Sequence, residues 1–199
     1  MRFPRELTLD TPRCRLRHVS EADIPHVFSA SRVAGFNDGM RWEPPKDESE
    51  LLVPYRQTLQ RWADDEAYQF TLEERSDRRF LGRIVIRRLA EPDVWNIGFW
   101  THPREQGRGY MTEAARRILQ FGFEELGAIR IEADHATWNK ASERVLQKLG
   151  MTFREHRPHG FQKRGQWVAE NRVAITREEW QSHRPAPAIM PSPANPPER

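Results

Sequence analysis

A single cysteine, Cys14, stands in a chain of 199 residues. It excludes an internal disulfide and leaves no cysteine cluster to hold a metal, so none is expected. Long apolar runs are missing too. No stretch approaches the roughly 20 residues of a membrane-spanning helix, and the N-terminus lacks the apolar core of a signal peptide. With 37% hydrophobic residues and a mean hydropathy of −0.84, the composition predicts a soluble chain, cytoplasmic by default, without a membrane partner. Lysine is scarce, confined to Lys46, Lys140, Lys148 and Lys163, so arginine carries nearly all the positive charge. The 32 basic residues face 29 acidic ones, leaving a formal charge of only +3, and the signs are interspersed. That pattern argues against a specific nucleic-acid partner despite a pI near 9.3, while the slight positive bias suits a small polyanion.

What the chain does contain centres on residues 101–126, THPREQGRGYMTEAARRILQFGFEEL. A turn at His102-Pro103 leads into Arg104-Glu105-Gln106-Gly107-Arg108-Gly109. Ala115, Ile118, Leu119, Phe123 and Leu126 then recur at helical spacing. The first-turn N–H groups of a helix have no partners within it, and the helix dipole favours an anion there. Gly107 and Gly109 allow close backbone approach to a bulky ligand, and Arg104 and Arg108 add positive charge. The stretch therefore reads as a diphosphate-binding loop and helix, with a plain glycine turn as the bland alternative. It is not a P-loop, since no lysine follows Gly109. Nor is it the dinucleotide fingerprint, because Thr112 stands where a third glycine belongs.

The length suits one domain with a good core. Residues 13–19 alternate as a first strand, and Ser20 with Asp23 reads as the cap of a helix ending near Ser31. Residues 32–45 form a loop ending in Trp42-Glu43-Pro44-Pro45, where Trp42 is a hydrophobic plug or a substrate wall. Residues 47–65 read as a helix interrupted or restarted near Pro54. Strands are expected at 68–73, 80–86 and 94–100, then at 130–135 after the glycine helix. A helix over 139–149 closes at Gly150. Residues 151–157 and 167–176 form a final antiparallel pair across a basic loop at 156–166. From Gln181 the composition turns to Pro, Ala and Ser, and residues 181–199 are expected to be disordered. The order β-α-α-β-β-β-α-β-α-β-β predicts an α/β (α+β) mixed, mostly antiparallel central sheet with helices on both faces.

Both the order and the motifs resemble the GNAT acetyltransferases, in particular their RimJ/RimL-type branch. Arg104, Gly107 and Gly109 match the family's Arg/Gln-x-x-Gly-x-Gly/Ala loop. Also similar are Trp42-Glu43-Pro44-Pro45, Leu81-Gly82-Arg83-Ile84, Asn96-Ile97-Gly98-Phe99-Trp100, Gly109-Tyr110-Met111-Thr112-Glu113-Ala114, Asn139-Lys140-Ala141-Ser142, Leu146-Gln147-Lys148-Leu149-Gly150-Met151 and Arg177-Glu178-Glu179-Trp180. The resemblance spans residues 9–180. It implies acetyl transfer from acetyl-CoA, the cosubstrate, to a primary amine, either a protein N-terminus or a small molecule. It implies further that the pantetheine arm pairs with the strand edge around Ile97 and Phe99, a backbone N–H near Phe99 polarising the thioester carbonyl. Gln106, Gly107, Arg108, Gly109, Tyr110 and Met111 would hold the pyrophosphate through their N–H groups, beside Arg104.

By the same resemblance Asn139 touches the cofactor, although an ordinary N-cap explains it equally. Ser142 is the candidate acid for the departing thiolate, since no tyrosine lies on the 139–149 helix; the alternative is an ordinary first-turn serine. The base is open. Asp134 shares a strand face with Glu132 and opposes His135; Glu43 is the other candidate, and an amine that arrives deprotonated needs neither. The acceptor walls are expected from the 35–45 loop, the second helix and the 156–166 loop. The basic character of the last (Arg157, His159, Lys163, Arg164) favours an acceptor with acidic character. The rival reading is a non-catalytic acyl-CoA-binding module, and a homodimer is left open.

Overall fold

The computed structural model describes residues 2–182, and the segment expected to be disordered lies, from residue 183 onward, outside the described residues. Eight strands form one sheet: β1 (Thr8–Asp10), β2 (Cys14–His18), β3 (Ala67–Glu74), β4 (Phe80–Arg88), β5 (Val94–Thr101), β6 (Arg130–Ala136), β7 (Thr152–Lys163) and β8 (Gln166–Thr176). Their spatial order is β1-β2-β3-β4-β5-β6-β8-β7. Every neighbouring pair is antiparallel except β5 and β6, which run parallel across the crossover containing the glycine loop. The helices are α1 (Ile24–Ser31), α2 (Leu52–Ala63), α3 (Tyr110–Gln120), α4 (Lys140–Lys148) and α5 (Arg177–Ser182). No helix among the described residues is long and apolar enough to cross a membrane.

Local chemistry accounts for the element boundaries. Ser20 and Asp23 form the expected capping box, here over a short 3-10 turn that hands on to α1. Asp47 caps a second 3-10 turn, Glu48–Leu51, and α2 begins at Leu52. Pro54 therefore sits in the first turn of α2 rather than breaking a longer helix, a position where its missing N–H costs nothing. Asn139 accepts from the Ser142 N–H as the N-cap of α4. α3 buries Ala114, Ala115, Ile118 and Leu119, then continues as a π-helical turn, Phe121–Glu125. Gly122 lies in that turn because a Cβ there would stand 2.6 Å from Ile131 Cδ1 and 2.9 Å from Ile86 Cδ1. The helix and the sheet are that close.

The sheet's two faces differ in chemistry. Ile84, Ile86, Ile97 and Ile131 are buried under α3 with Phe121 and Phe123, in the main core. The opposite face carries Arg17, Thr71, Arg83, Arg87, Asn96 and Asp134, joined by ion pairs and hydrogen bonds. α1 and α2 flank this polar face and leave a cavity over it.

Three sequence expectations need correction. β1 was missed, because a three-residue strand with only Leu9 buried shows no period. The basic 156–166 loop is β-structure: β7 runs to Lys163 and turns tightly through Arg164 (φ 50) and Gly165 (φ 77) into β8. The chain also stays ordered past Trp180, since Gln181 and Ser182 complete α5.

Candidate active site

The glycine loop is built to leave its donors free. A 3-10 turn, Pro103–Glu105, capped by His102, precedes Gly107 (φ 79) and Gly109 (φ 81), both left-handed. These two left-handed residues turn the chain from the 3-10 segment into α3. Among the described residues, no protein acceptor meets the N–H groups from Gln106 to Met111. A row of unpaired N–H groups at the N-terminus of an eleven-residue helix is the physical requirement for a pyrophosphate cradle. A Cβ on Gly107 would meet nothing within 4 Å. The expected loop residues are thus together and exposed, except Tyr110 and Met111, whose side chains are buried and leave only backbone to offer.

The loop's charges are unequal. Arg108 donates to the buried Glu105 carboxylate (3.1 Å), which also pairs with Arg79 from the β3–β4 turn. The Arg104 guanidinium has no partner among the described residues and is the cation left for an anion. Arg13, which nothing in its local spacing singles out, reaches the same place from a position 95 residues away. It donates to the Arg108 carbonyl (3.1 Å) and to Glu113 (2.7 Å), and lies over the Tyr110 ring. Glu113, the acid in the first turn of α3, is thereby occupied and does not oppose an incoming anion.

Beside the loop the sheet opens. β5 and β6 pair only from Val94↔Arg130 to Asn96↔Glu132, after which both strands continue unpaired with each other. The N–H of His102 donates to the Leu81 carbonyl, which makes Thr101↔Gly82 a pair without mutual hydrogen bonds. By alternation Phe99↔Ile84 and Ile97↔Ile86 are the same type. The C=O of Ile97 and the N–H and C=O of Phe99 therefore face the cleft and not β4, while the Ile97 N–H belongs to the last rung of the β5–β6 ladder at Asn96↔Glu132. At the apex Asn96 donates to Asp134 (3.2 Å) and accepts from Arg87 (2.7 Å), bridging the two strands where their ladder stops.

On the far side of β5, a cavity of about 410 Å³ lies between α1, α2 and the polar face of the sheet. Gly98, Phe99 and Trp100 form its floor, and Trp42 and Glu43 from the 35–45 loop stand at its wall. Trp42 is therefore a wall residue and not a plug. Lys163 holds that loop by donating to the carbonyls of Met40 (3.1 Å) and Trp42 (2.7 Å). Gly39 packs so closely that a Cβ would lie 3.2 Å from Asn139 Nδ2, tying the loop to the start of α4. Ser142, in the first turn of α4, is half-buried.

Of the expected acids and bases, Asp134 is the most constrained. Its carboxylate receives Arg172 through Nε (2.9 Å) and a second nitrogen (3.3 Å), and Asn96 as well. Glu43 is 55% exposed and paired with Lys163 at 3.3 Å. A carboxylate the sequence did not suggest, Glu170 on β8, is 4% exposed on the same face as Asp134. Its carboxylate accepts one hydrogen bond, from Arg41 of the 35–45 loop (2.7 Å), and overlies Gly160, where a Cβ would fall 2.7 Å from Oε2. Burial pushes the Glu170 carboxyl above its ordinary range, against the pull of Arg41 and with repulsion from Asp134. Cys14 is no nucleophile, because burial raises its thiol to about 11.

A splayed parallel strand pair, a glycine loop between its strands and a cavity sharing one strand define a mixed α/β protein with an open cleft on one side of β5 and a cavity on the other. Residues 13–152 match the family described as Acetyltransferase (GNAT) domain, and the chain belongs to that family of N-acetyltransferases. It is similar to an uncharacterized N-acetyltransferase, YnaD, of Bacillus subtilis (strain 168), at 35% identity over 58% of this chain and 68% of the relative. A GNAT-family acetyltransferase from Bacillus anthracis shares the fold at TM-score 0.77 and 22% identity, over 86% of this chain and 99% of the other. So does RimJ of Mycobacterium smegmatis in complex with CoA-disulfide, at TM-score 0.73 and 23% identity, over 83% of each chain.

Proposed function

We propose that the chain acetylates a primary amine bound in the cavity over β5, with acetyl-CoA held in the cleft on the other side of the same strand. The observation that carries this is geometric. Phe99 turns its backbone N–H and C=O to the cleft while lining the cavity, so one residue borders both compartments. An amine and a thioester brought to that residue are in contact without either crossing the sheet.

Acetyl-CoA supplies the activated acyl group, and the chain's residues supply the rest. The N–H groups from Gln106 to Met111, with Arg104 beside them, hold the pyrophosphate. The backbone of Ile97 and Phe99 pairs with the amide-bearing arm as an added strand would. The Phe99 N–H donates to the carbonyl oxygen as negative charge develops there. Ser142 gives its proton to the sulfur. Removal of the amine proton falls to Glu170 in preference to Asp134 or Glu43. Glu170 is buried, its ionisation is displaced toward neutral pH, and it keeps unused lone pairs. Asp134, held by three donors, positions Asn96 at the apex.

A cavity of this size accepts a small amine or the first residues of a peptide. Filling it from the floor is the direct test. Gly98 has space for a Cβ, at 3.4 Å from Val85 Cγ1, and a longer side chain from that floor position would occupy the cavity. Gly98→Leu should abolish acceptor-dependent release of free thiol from acetyl-CoA while CoA affinity measured by calorimetry holds. Undiminished release with the same amine would remove the acceptor from this cavity.

A further inference from the structure

Among the residues lining the cavity is a cation without an adequate partner. Arg83 stands on β4 opposite Trp100, and its side chain is 12% exposed. Its Nε and Nη2 are fully buried and make no hydrogen bond. The nearest anion, Asp23, lies 3.8 Å from Nη2, beyond hydrogen-bond distance. Asp23 has nothing left to give: it accepts from two nitrogens of Arg17 (2.6 and 3.1 Å), from Thr71 Oγ1 (2.6 Å) and from the Ser20 N–H (2.9 Å). The two acids on the cavity's rim are exposed and turned elsewhere, Glu43 to Lys163 and Glu50 to the Lys46 N–H (3.0 Å).

Burial lowers the Arg83 guanidinium below its ordinary value, but its starting point is so high that it remains charged at neutral pH. A buried charge with unsatisfied N–H groups is costly unless something else satisfies them. An arginine fork is matched in shape and charge by a carboxylate. The walls around it, Trp42, Tyr55 and Trp100, suit an apolar body.

We propose that Arg83 binds a carboxylate on the acceptor, so that the substrate is a primary amine bearing both a carboxylate and an apolar portion, with polyamines excluded. This rests on the cavity being the acceptor site. It makes Arg83 a specificity residue for that site and assigns it no part in the proton transfers. The carboxylate can belong to a free amino acid or to the acidic side chain of a peptide's first residue, and the assay separates the two.

Thiol release from acetyl-CoA is measured with two matched pairs: leucine against leucinamide, and the C-terminally amidated dipeptides Asp-Leu against Asn-Leu. Wild type should favour one acid over its amide by at least tenfold in kcat/KM. Preference in the first pair identifies a free amino acid, and in the second a peptide. Arg83→Gln should erase that preference through KM, lowering kcat/KM for the acid more than for the amide, while CoA affinity holds, and Arg83→Lys should retain part of it. In parallel, calorimetry compares binding of the corresponding N-acetylated acid and amide products to the CoA complex. If wild type binds and turns over acid and amide alike, or if the preference survives in Arg83→Gln, the proposal is wrong. Acid-selective binding lost in a folded Arg83→Gln supports it even without turnover of any pair, a result that would count against the catalytic reading alone.

Discussion

Placing a glutamate at Gly107 isolates the pyrophosphate cradle from the fold. Gly107 is left-handed at φ 79, and a Cβ there would touch nothing within 4 Å. The cost to stability is therefore conformational only, about 1–2 kcal/mol for forcing a residue with a Cβ into that region. In a domain of this length that lowers Tm by about 2–8 °C. The cost to CoA is larger. A carboxylate about 6 Å from a phosphate charge at an effective dielectric of 20 adds about 3 kcal/mol of repulsion, or roughly 10²-fold in affinity. Gly107→Asn tolerates the left-handed conformation and carries no charge, so it should retain most of the binding. Gly127→Glu is the matched control, at φ 81 with nothing within 4 Å but outside the loop. It should lower Tm equally and leave CoA untouched. Calorimetry with CoA and thermal unfolding read the two effects separately. A folded Gly107→Glu variant with wild-type CoA affinity, or an equal loss in Gly127→Glu, refutes the cradle.

Ser142→Ala should lower kcat and kcat/KM together by roughly 10²-fold, with CoA affinity little changed; full turnover would show that water protonates the thiolate. With Glu170 as the proposed base, the ionised carboxylate would be the active form, and burial raises its pKa. The acid limb of kcat/KM should therefore lie above the ordinary glutamate range, and Glu170→Gln should remove it, with activity recovering as rising pH deprotonates the amine. If Asp134→Asn removes the limb instead, Asp134 is the base. Asp23 is tied to stability. Burial alone would raise its carboxyl, but bonds from Arg17, Thr71 and the Ser20 N–H hold it below the model-peptide value of 3.8. Its contribution should be full above that value and be lost as pH falls through the lower folded one. Asp23→Asn should cost about 1–3 kcal/mol in denaturant unfolding near neutral pH, since Arg17 keeps Glu73 but the buried Arg17, Thr71 and Ser20 donors lose their shared carboxylate; no measurable loss would mean the pair contributes little.

Much of the cofactor side was written in short stretches. Gly107 and Gly109 before an amphipathic helix, the Ser20–Asp23 box, the Asn139 cap and the alternation of β3, β4 and β5 each depend on residues a few positions apart. Backbone geometry of that kind is local, and local spacing encodes it. Long-range pairings were not legible in the same way. Arg13 beside Gly109, Arg41 on Glu170, and Arg83 stranded from an already saturated Asp23 join residues tens to more than a hundred positions apart. Which arginine is neutralised and which is left over depends on distances across the sheet, since a charge's cost and value are set by its partners and its burial. In a chain with arginine on five of its eight strands, residue type alone does not distinguish the paired ones from the one facing the cavity. Sequence determined the fold and the family; tertiary packing decided which buried carboxylate keeps unused lone pairs and which buried cation lacks a hydrogen-bond partner.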